Sequence, residues 1–151
     1  MAIEKLITVE ELKDLARFFD EEVWNKHNFA VIDEMLDPDF TENNPYISAP
    51  GPAAFKDYVG RFLKAFPDTH FVIEDLFGQG DRVARRWCLT ATHSGSFFGE
   101  PPSGKTIKIK GLGIYRFVGG ILAESWTSFD QFDLLKQLGL GISPIRNHTF
   151  N

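Results

Sequence analysis

Thr106-Ile107-Lys108-Ile109-Lys110-Gly111-Leu112-Gly113-Ile114-Tyr115-Arg116-Phe117-Val118, followed by Gly119-Gly120 and a second apolar run through Phe129, is the stretch that decides the fold. Ile107, Ile109, Tyr115 and Phe117 alternate with Lys108, Lys110 and Arg116. That two-residue period is the mark of a strand with one buried and one wet face. Gly119-Gly120 supplies the positive φ angles that a two-residue hairpin turn needs. Gly111 and Gly113 fall mid-strand on the same face as Ile109 and Tyr115. Glycines there weaken a strand unless the sheet bends or something approaches closely, for instance a ligand beside the strand.

Working outward from this hairpin, residues 82–93 read as a long strand and 69–77 as another, joined by the turn Gly78-Gln79-Gly80-Asp81. A loop with Pro101-Pro102 inside it spans 95–104. Earlier segments have helical spacing. Thr8-Val9-Glu10-Glu11 has capping-box form, and Leu12, Leu15, Ala16, Phe19 and Val23 follow as one apolar face. Residues 25–28 interrupt it. A short helix over 29–36 ends at Asp37-Pro38, because a residue before proline resists helical geometry. A short strand over 40–44 and a loop over 45–52 precede a third helix with Phe55, Tyr58, Val59, Phe62, Leu63 and Phe66 on one face, stopped by Pro67. A last helix over 131–138 ends at Gly139, a left-handed cap. Helices segregated from an antiparallel meander predict an α+β fold, a curved sheet with helices on its concave side forming a cone. The chain reads as one domain over 1–151, with its core at about 8–139 and a tail at 140–151.

Composition narrows the partners. Aromatic residues make up 14% of the chain, with fifteen phenylalanines, which suits a concave apolar site as well as a core. The net charge of -5 argues against nucleic acid or an anionic membrane as partner. Two basic clusters, Arg82 with Arg85 and Arg86, and Lys105 with Lys108 and Lys110, read as outward faces of strands. A single cysteine, Cys88, rules out an intramolecular disulfide and suits a reducing compartment. With no signal-peptide pattern at the first residues and no apolar run of membrane-spanning length, the expected location is the cytoplasm.

In their order, several motifs resemble the SnoaL-like polyketide cyclase family, named for the nogalonic acid methyl ester cyclase and part of the NTF2-like superfamily. They are Asp37-Pro38-Asp39-Phe40, Asn44-Pro45, Gly51 through Phe66-Pro67, Gly80-Asp81-Arg82-Val83, Thr92-His93-Ser94-Gly95 and Gly99 to Lys105. Ile114-Tyr115-Arg116, Gly119-Gly120, Trp126, Phe129-Asp130 and Leu134-Leu135-Lys136-Gln137-Leu138-Gly139 complete the series. The resemblance implies a cone that closes a ring by intramolecular aldol condensation without metal or cofactor. It implies an aspartate base on the last strand, a glutamine and a histidine on the strand before, and an asparagine near the first. Aligned on these motifs, the base falls on Thr127, and the glutamine and histidine fall on Gly111 and Gly113. Only the asparagine persists, as Asn44. The pocket is then expected to be larger and less polar than in the cyclases.

Asp130 is the leading candidate base, since a carboxylate in an aromatic pocket gains a raised pKa; the alternative is that it caps the last helix. His93 and Asn44 are candidate partners in acid/base work. His93 otherwise orients a loop. Glu42 alternates with Asn44 and so shares its face, with Tyr46 nearby at the cone's mouth. The remaining substrate-contacting candidates are Phe62, Trp87, Gly111, Gly113, Tyr115 and Thr127. His27, His70, His93 and His148 are scattered without ligand spacing, so no metal site is expected. No phosphate loop, dinucleotide fingerprint or nucleophile elbow is present, and no cofactor is expected.

The sequence therefore favours a cofactor-independent cyclase or isomerase acting on a small hydrophobic carbonyl compound. A non-catalytic module binding a small apolar molecule is one alternative. The other is an epoxide hydrolase of the same superfold, with Arg85 or Arg86 between two carboxylates. Trp87, Leu89, Leu112, Ile114, Leu122 and Trp126, if all on an outer sheet face, would be too apolar for a monomer, so a homo-oligomer, dimer or tetramer, is expected.

Overall fold

The computed structural model describes residues 6–44, 46–47 and 49–141, so most of the expected tail at 140–151, His148 included, lies outside the described residues. The elements run α1 (Val9–Asp20), a π-helical turn (Glu21–Asn25), α2 (Ala30–Met35), β1 (Leu36–Asn43), α3 (Pro52–Ala65), β2 (His70–Gln79), β3 (Arg82–Thr92), β4 (Thr106–Val118), β5 (Ile121–Phe129) and α4 (Gln131–Gln137). One five-stranded sheet has the order β1-β5-β4-β3-β2, antiparallel except for the parallel pair β1 and β5. The fold is mixed α+β, as the alternation on β4 and the helical spacing upstream required.

Local chemistry explains most element ends. Thr8 and Glu11 form the reciprocal capping box of α1. Gly119 and Gly120 take φ angles of 57° and 80° at the β4–β5 turn, and Gly139 closes α4 at 73°. Two boundaries differ from expectation. The first helix, expected to run on to an interruption at 25–28, widens after Asp20 into the π turn, where Lys26 N–H donates to Glu21 O. Asn25 then makes paired hydrogen bonds with the backbone of Phe71, its Nδ2 donating at 2.9 Å and its Oδ1 accepting at 2.7 Å. Those bonds to β2 hold the turn against the sheet. The first strand also starts earlier, at Leu36, and contains Pro38. The proline is tolerated because β1 is an edge strand and its pairing with β5 is irregular between Leu36 and Thr41.

The concave face carries the core. Val83, Trp87, Leu89 and Ala91 of β3 and Ile107, Ile109, Tyr115 and Phe117 of β4 point inward against α1, α2 and α3. Of the six apolar residues expected on one outer face, Trp87, Leu89 and Leu122 are buried, whereas Leu112 and Ile114 are exposed. The pairing explains the split: Trp87 opposes Gly111, Arg86 opposes Leu112, and adjacent positions take opposite faces. An irregularity between Arg116 and Phe117 shifts the β4–β5 register, so Leu122 and Ser125 both face inward although they are three apart.

Candidate functional site

Seven elements line one cavity of about 50 Å³ under the concave face, among them β1 with Glu42 and the adjoining Asn44, and β3 with Arg85 and Trp87. β4 adds Tyr115 and β5 adds Thr127, while the helices close it with Trp24, Tyr58 and Phe62. Trp24, Phe71 and Trp87 form a layered aromatic wall, with ring centroids 5.9 Å apart at 14° and 5.2 Å apart at 27°. The π turn is what brings Trp24 to that wall.

A closed polar triangle lies at one end. Arg85 Nε donates to Asp20 Oδ2, Arg85 Nη2 donates to Tyr115 OH, and Tyr115 OH donates to Asp20 Oδ1, each at 2.6 Å. Asp20 is 1% exposed and Arg85 5% exposed. Burial works against the Arg85 charge, but Asp20, Tyr115 and Glu42 outweigh it and its pKa is raised, so it stays a cation. Burial and the Asp20 carboxylate push the Tyr115 phenol well above its ordinary range, against the pull of Arg85.

Glu42 is the cavity's other carboxyl group, 8% exposed, and its Oε1 has no hydrogen-bond partner among the described residues. Burial raises its pKa, while the nearby Ser125 and Thr127 hydroxyls and the Arg85 charge act in the opposite sense. Ser125, the strongest of these opposing influences, has an Oγ that is buried without a well-formed hydrogen bond. Arg85 Nη1 and Trp87 Nε1 are likewise buried without a partner. Tyr58 is pushed up to about 12 by burial, and its hydroxyl accepts from Asn44 Nδ2 at 3.4 Å.

The two mid-strand glycines are sockets. A Cβ on Gly111 would overlap the Trp87 indole, and one on Gly113 would overlap Arg85 Nη1. The space that a side chain would take on β4 is therefore filled from β3. The two glycines therefore leave no open space of their own, and the cavity beside them keeps the charged residues Glu42 and Arg85 in its lining. Arg85 departs from its expected outward position: inward Val83 and Trp87 flank it at two-residue spacing, while Arg86 pairs outside with Glu74 and Asp75.

The candidate residues divide. Asn44, Glu42, Phe62, Trp87, Tyr115 and Thr127 line the cavity. Asp130 does not; it is exposed and caps α4, its Oδ1 accepting from Asp133 N–H at 3.0 Å. His93 is buried elsewhere, between Phe66 and Phe97, with Nδ1 accepting from Ser103 N–H at 3.2 Å, which anchors the following loop. Tyr46 is 37% exposed and packs on Phe98. Among the described residues no cluster of three or more metal-ligating groups occurs, and no helix is long and apolar enough to cross a membrane.

The model of the family described as SnoaL-like polyketide cyclase matches residues 13–138. The chain belongs to the SnoaL-like polyketide cyclase family. No curated protein matches it. Among solved structures of the same NTF2-like fold, a proposed polyketide cyclase from Acidithiobacillus ferrooxidans is 33% identical, with a TM-score of 0.77 over 92% of this chain and 98% of its own. AclR from Streptomyces galilaeus, a candidate hydroxylase, is 30% identical, with a TM-score of 0.78 over 87% and 98%. IdmH from Streptomyces antibioticus, a candidate polyketide cyclase, is 26% identical, with a TM-score of 0.72 over 85% and 99%. Within this SnoaL-like chain, sequence reasoning missed Asp20 and Trp24 as site residues and raised Arg85 only for the epoxide-hydrolase alternative. Asp20 had left a signal, since it falls on the same helical face as Ala16, Phe19 and Val23.

Proposed function

We propose that the protein is a cofactor-independent acid/base enzyme, a cyclase or isomerase acting on a small, largely apolar carbonyl compound, with Glu42 as the proton-transfer group. The observation that carries this reading is that three residues lining one cavity each hold a buried, unpartnered polar atom: Glu42 Oε1, Arg85 Nη1 and Trp87 Nε1. Buried polar groups without partners are costly, and a ligand that pairs with all three recovers that cost.

In this reading the Glu42 carboxylate takes a proton from the carbon beside the substrate carbonyl. The C–H electron pair moves to the carbonyl oxygen, and Arg85 Nη1 and Trp87 Nε1 donate to the enolate oxygen as its charge develops. Glu42 then returns the proton to a different carbon in an isomerisation. In a cyclisation the enolate carbon attacks a second carbonyl and the new alkoxide takes the proton. Its raised pKa brings the base nearer neutral pH than an exposed glutamate would be.

The resemblance supports the assignment in an altered form. The implied base position, Thr127, is the inward neighbour of Ser125, which pairs with Glu42 across β1 and β5. The implied donor positions, Gly111 and Gly113, are occupied in space by Trp87 and Arg85. Each group missing from its expected strand thus has a counterpart reaching in from the adjacent strand.

The test is exchange of α-hydrogens in a panel of small ketones in D2O, followed by proton NMR. Glu42→Gln is expected to slow exchange about 10²- to 10⁴-fold. Unchanged exchange in that variant would leave a non-catalytic binding cavity. One observation favours a second reading, hydrolysis of an epoxide: the Arg85 cation is acted on by the carboxylates of both Asp20 and Glu42. There Glu42 would take its proton from water instead of carbon, and turnover of a small epoxide without ketone exchange selects it.

A further inference from the structure

Tyr58 carries a donor that the cavity itself leaves unused. Asn44 Oδ1 accepts from the Tyr46 N–H at 3.0 Å, so Nδ2 is the end that Asn44 turns to the Tyr58 hydroxyl. The phenol oxygen receives that bond, and its own proton has no acceptor among the described residues. Burial, opposed by the Asn44 bond and reinforced by the Glu42 charge, pushes Tyr58 up to about 12, so it remains a phenol at neutral pH. With Arg85 Nη1 and Trp87 Nε1, three donors without acceptors belong to residues lining one cavity. Glu42 is the one carboxyl group in that lining among the described residues. The groups facing it are Arg85 on β3, Asp20 on α1, Tyr58 on α3, Tyr115 on β4, and the Ser125 and Thr127 hydroxyls on β5. Asp20 offsets Arg85 through their 2.6 Å ion pair, and both tyrosines are neutral. The charge of the site therefore turns on Glu42 alone: ionised, it leaves one surplus negative charge, and protonated, none. The volume of about 50 Å³ has room for roughly four waters. A planar molecule of four covalently bonded non-hydrogen atoms needs no more than that.

We propose that, with Glu42 protonated, the cavity is a binding site for a small planar monoanion such as acetate, with Arg85, Trp87 and Tyr58 donating to its oxygens. Acetate has the charge and nearly the shape of the enolate of acetone, the species present once Glu42 has taken a carbon-bound proton. The proposal rests on the reading of Glu42 as the proton-transfer group, and adds Tyr58 as a catalytic residue that donates to the enolate oxygen. With acetate, the proton on Glu42 comes from solvent. Binding above the Glu42 midpoint therefore takes up one proton, and affinity falls about tenfold for each unit that the pH rises.

The test titrates sodium acetate into the full chain at constant ionic strength, from about pH 6 to about pH 8, and follows the Trp87 indole N–H by NMR, its signal assigned with Trp87→Phe. Wild type is expected to bind at the acid end, with a downfield shift of that signal, and to lose affinity about tenfold per pH unit. Glu42→Gln is neutral throughout, so it should keep the affinity of the acid form across the whole range while losing hydrogen exchange. Tyr58→Phe is expected to weaken acetate about tenfold or more, and to slow exchange of acetone α-hydrogens by a similar factor. No shift of the indole signal in wild type and Glu42→Gln would overturn the site. A wild-type affinity that ignores pH would overturn the coupling to Glu42, and an unmoved affinity in Tyr58→Phe the role of Tyr58. Failure here is distinct from failure of the proposed function. Glu42-dependent exchange without acetate binding removes only the anion site, whereas pH-coupled acetate binding without Glu42-dependent exchange removes only the chemistry.

Discussion

Glu42 and Asp20 are both buried carboxylates near the same guanidinium, yet their surroundings set them apart. Asp20 accepts hydrogen bonds from Arg85 and Tyr115 on both oxygens, whereas Glu42 keeps one oxygen bare in an aromatic setting. The consequence for stability follows from linkage. A carboxyl group whose folded pKa lies above its unfolded value binds protons more tightly when folded, so stability falls as pH rises through the interval between the two. Glu42, raised from 4.5, should therefore destabilise the protein above its folded pKa and cost nothing below 4.5. Glu42→Gln is expected to stabilise the fold at pH 8, with the gain vanishing at acid pH. Melting curves of both proteins across that range check it. Breaking the triangle has the opposite sign. Asp20→Ala leaves a buried, uncompensated cation and should cost about 3–5 kcal/mol in chemical denaturation.

At the scale of the element, strand parity decides which side chains meet. The alternation of β4, its hairpin with β5, the capping box of α1 and the glycine closing α4 were legible because each depends on residues close in sequence. Glu42 and Asn44 were legible as a pair for the same reason. The Asp20–Arg85 pair was not, because its members are 65 residues apart and only the packing of α1 on β3 brings them together. Arg85 was misread because its neighbour Arg86 does face outward, and one position along a strand reverses the face. Gly111 and Gly113 were read as either a bend or a place where a ligand approaches, but what approaches is the next strand's side chains. Gly113→Ala should displace the Arg85 guanidinium and cost about 1–3 kcal/mol in the same denaturation assay. Asp130→Ala should cost about 1 kcal/mol, the loss of a helix cap, and leave ligand binding in the cavity unchanged.

For the whole molecule, the face of the sheet opposite the cavity carries the expectation of self-association. Phe77 is 65% exposed and Leu112 60% exposed, and they flank an open apolar groove with Ile114 and Trp126. The patch is smaller than the six residues read from sequence suggested, since three of those point into the core. We expect a second copy to cover what remains. Light scattering at micromolar concentration should give at least a dimer, and Leu112→Glu should convert it to monomer. A wild-type monomer would remove the expectation.

The account depends most on Glu42 being a buried carboxyl group whose charge is disfavoured until a substrate proton or a ligand donor meets it. Its titration, followed through the side-chain carboxyl carbon by NMR of the ligand-free protein, tests that directly. The account predicts a midpoint clearly above 4.5, moved towards neutrality. A midpoint at or below 4.5 would mean that Arg85 and the flanking hydroxyls stabilise its charge fully, and Glu42 would then be a structural anion and not the proton-transfer group.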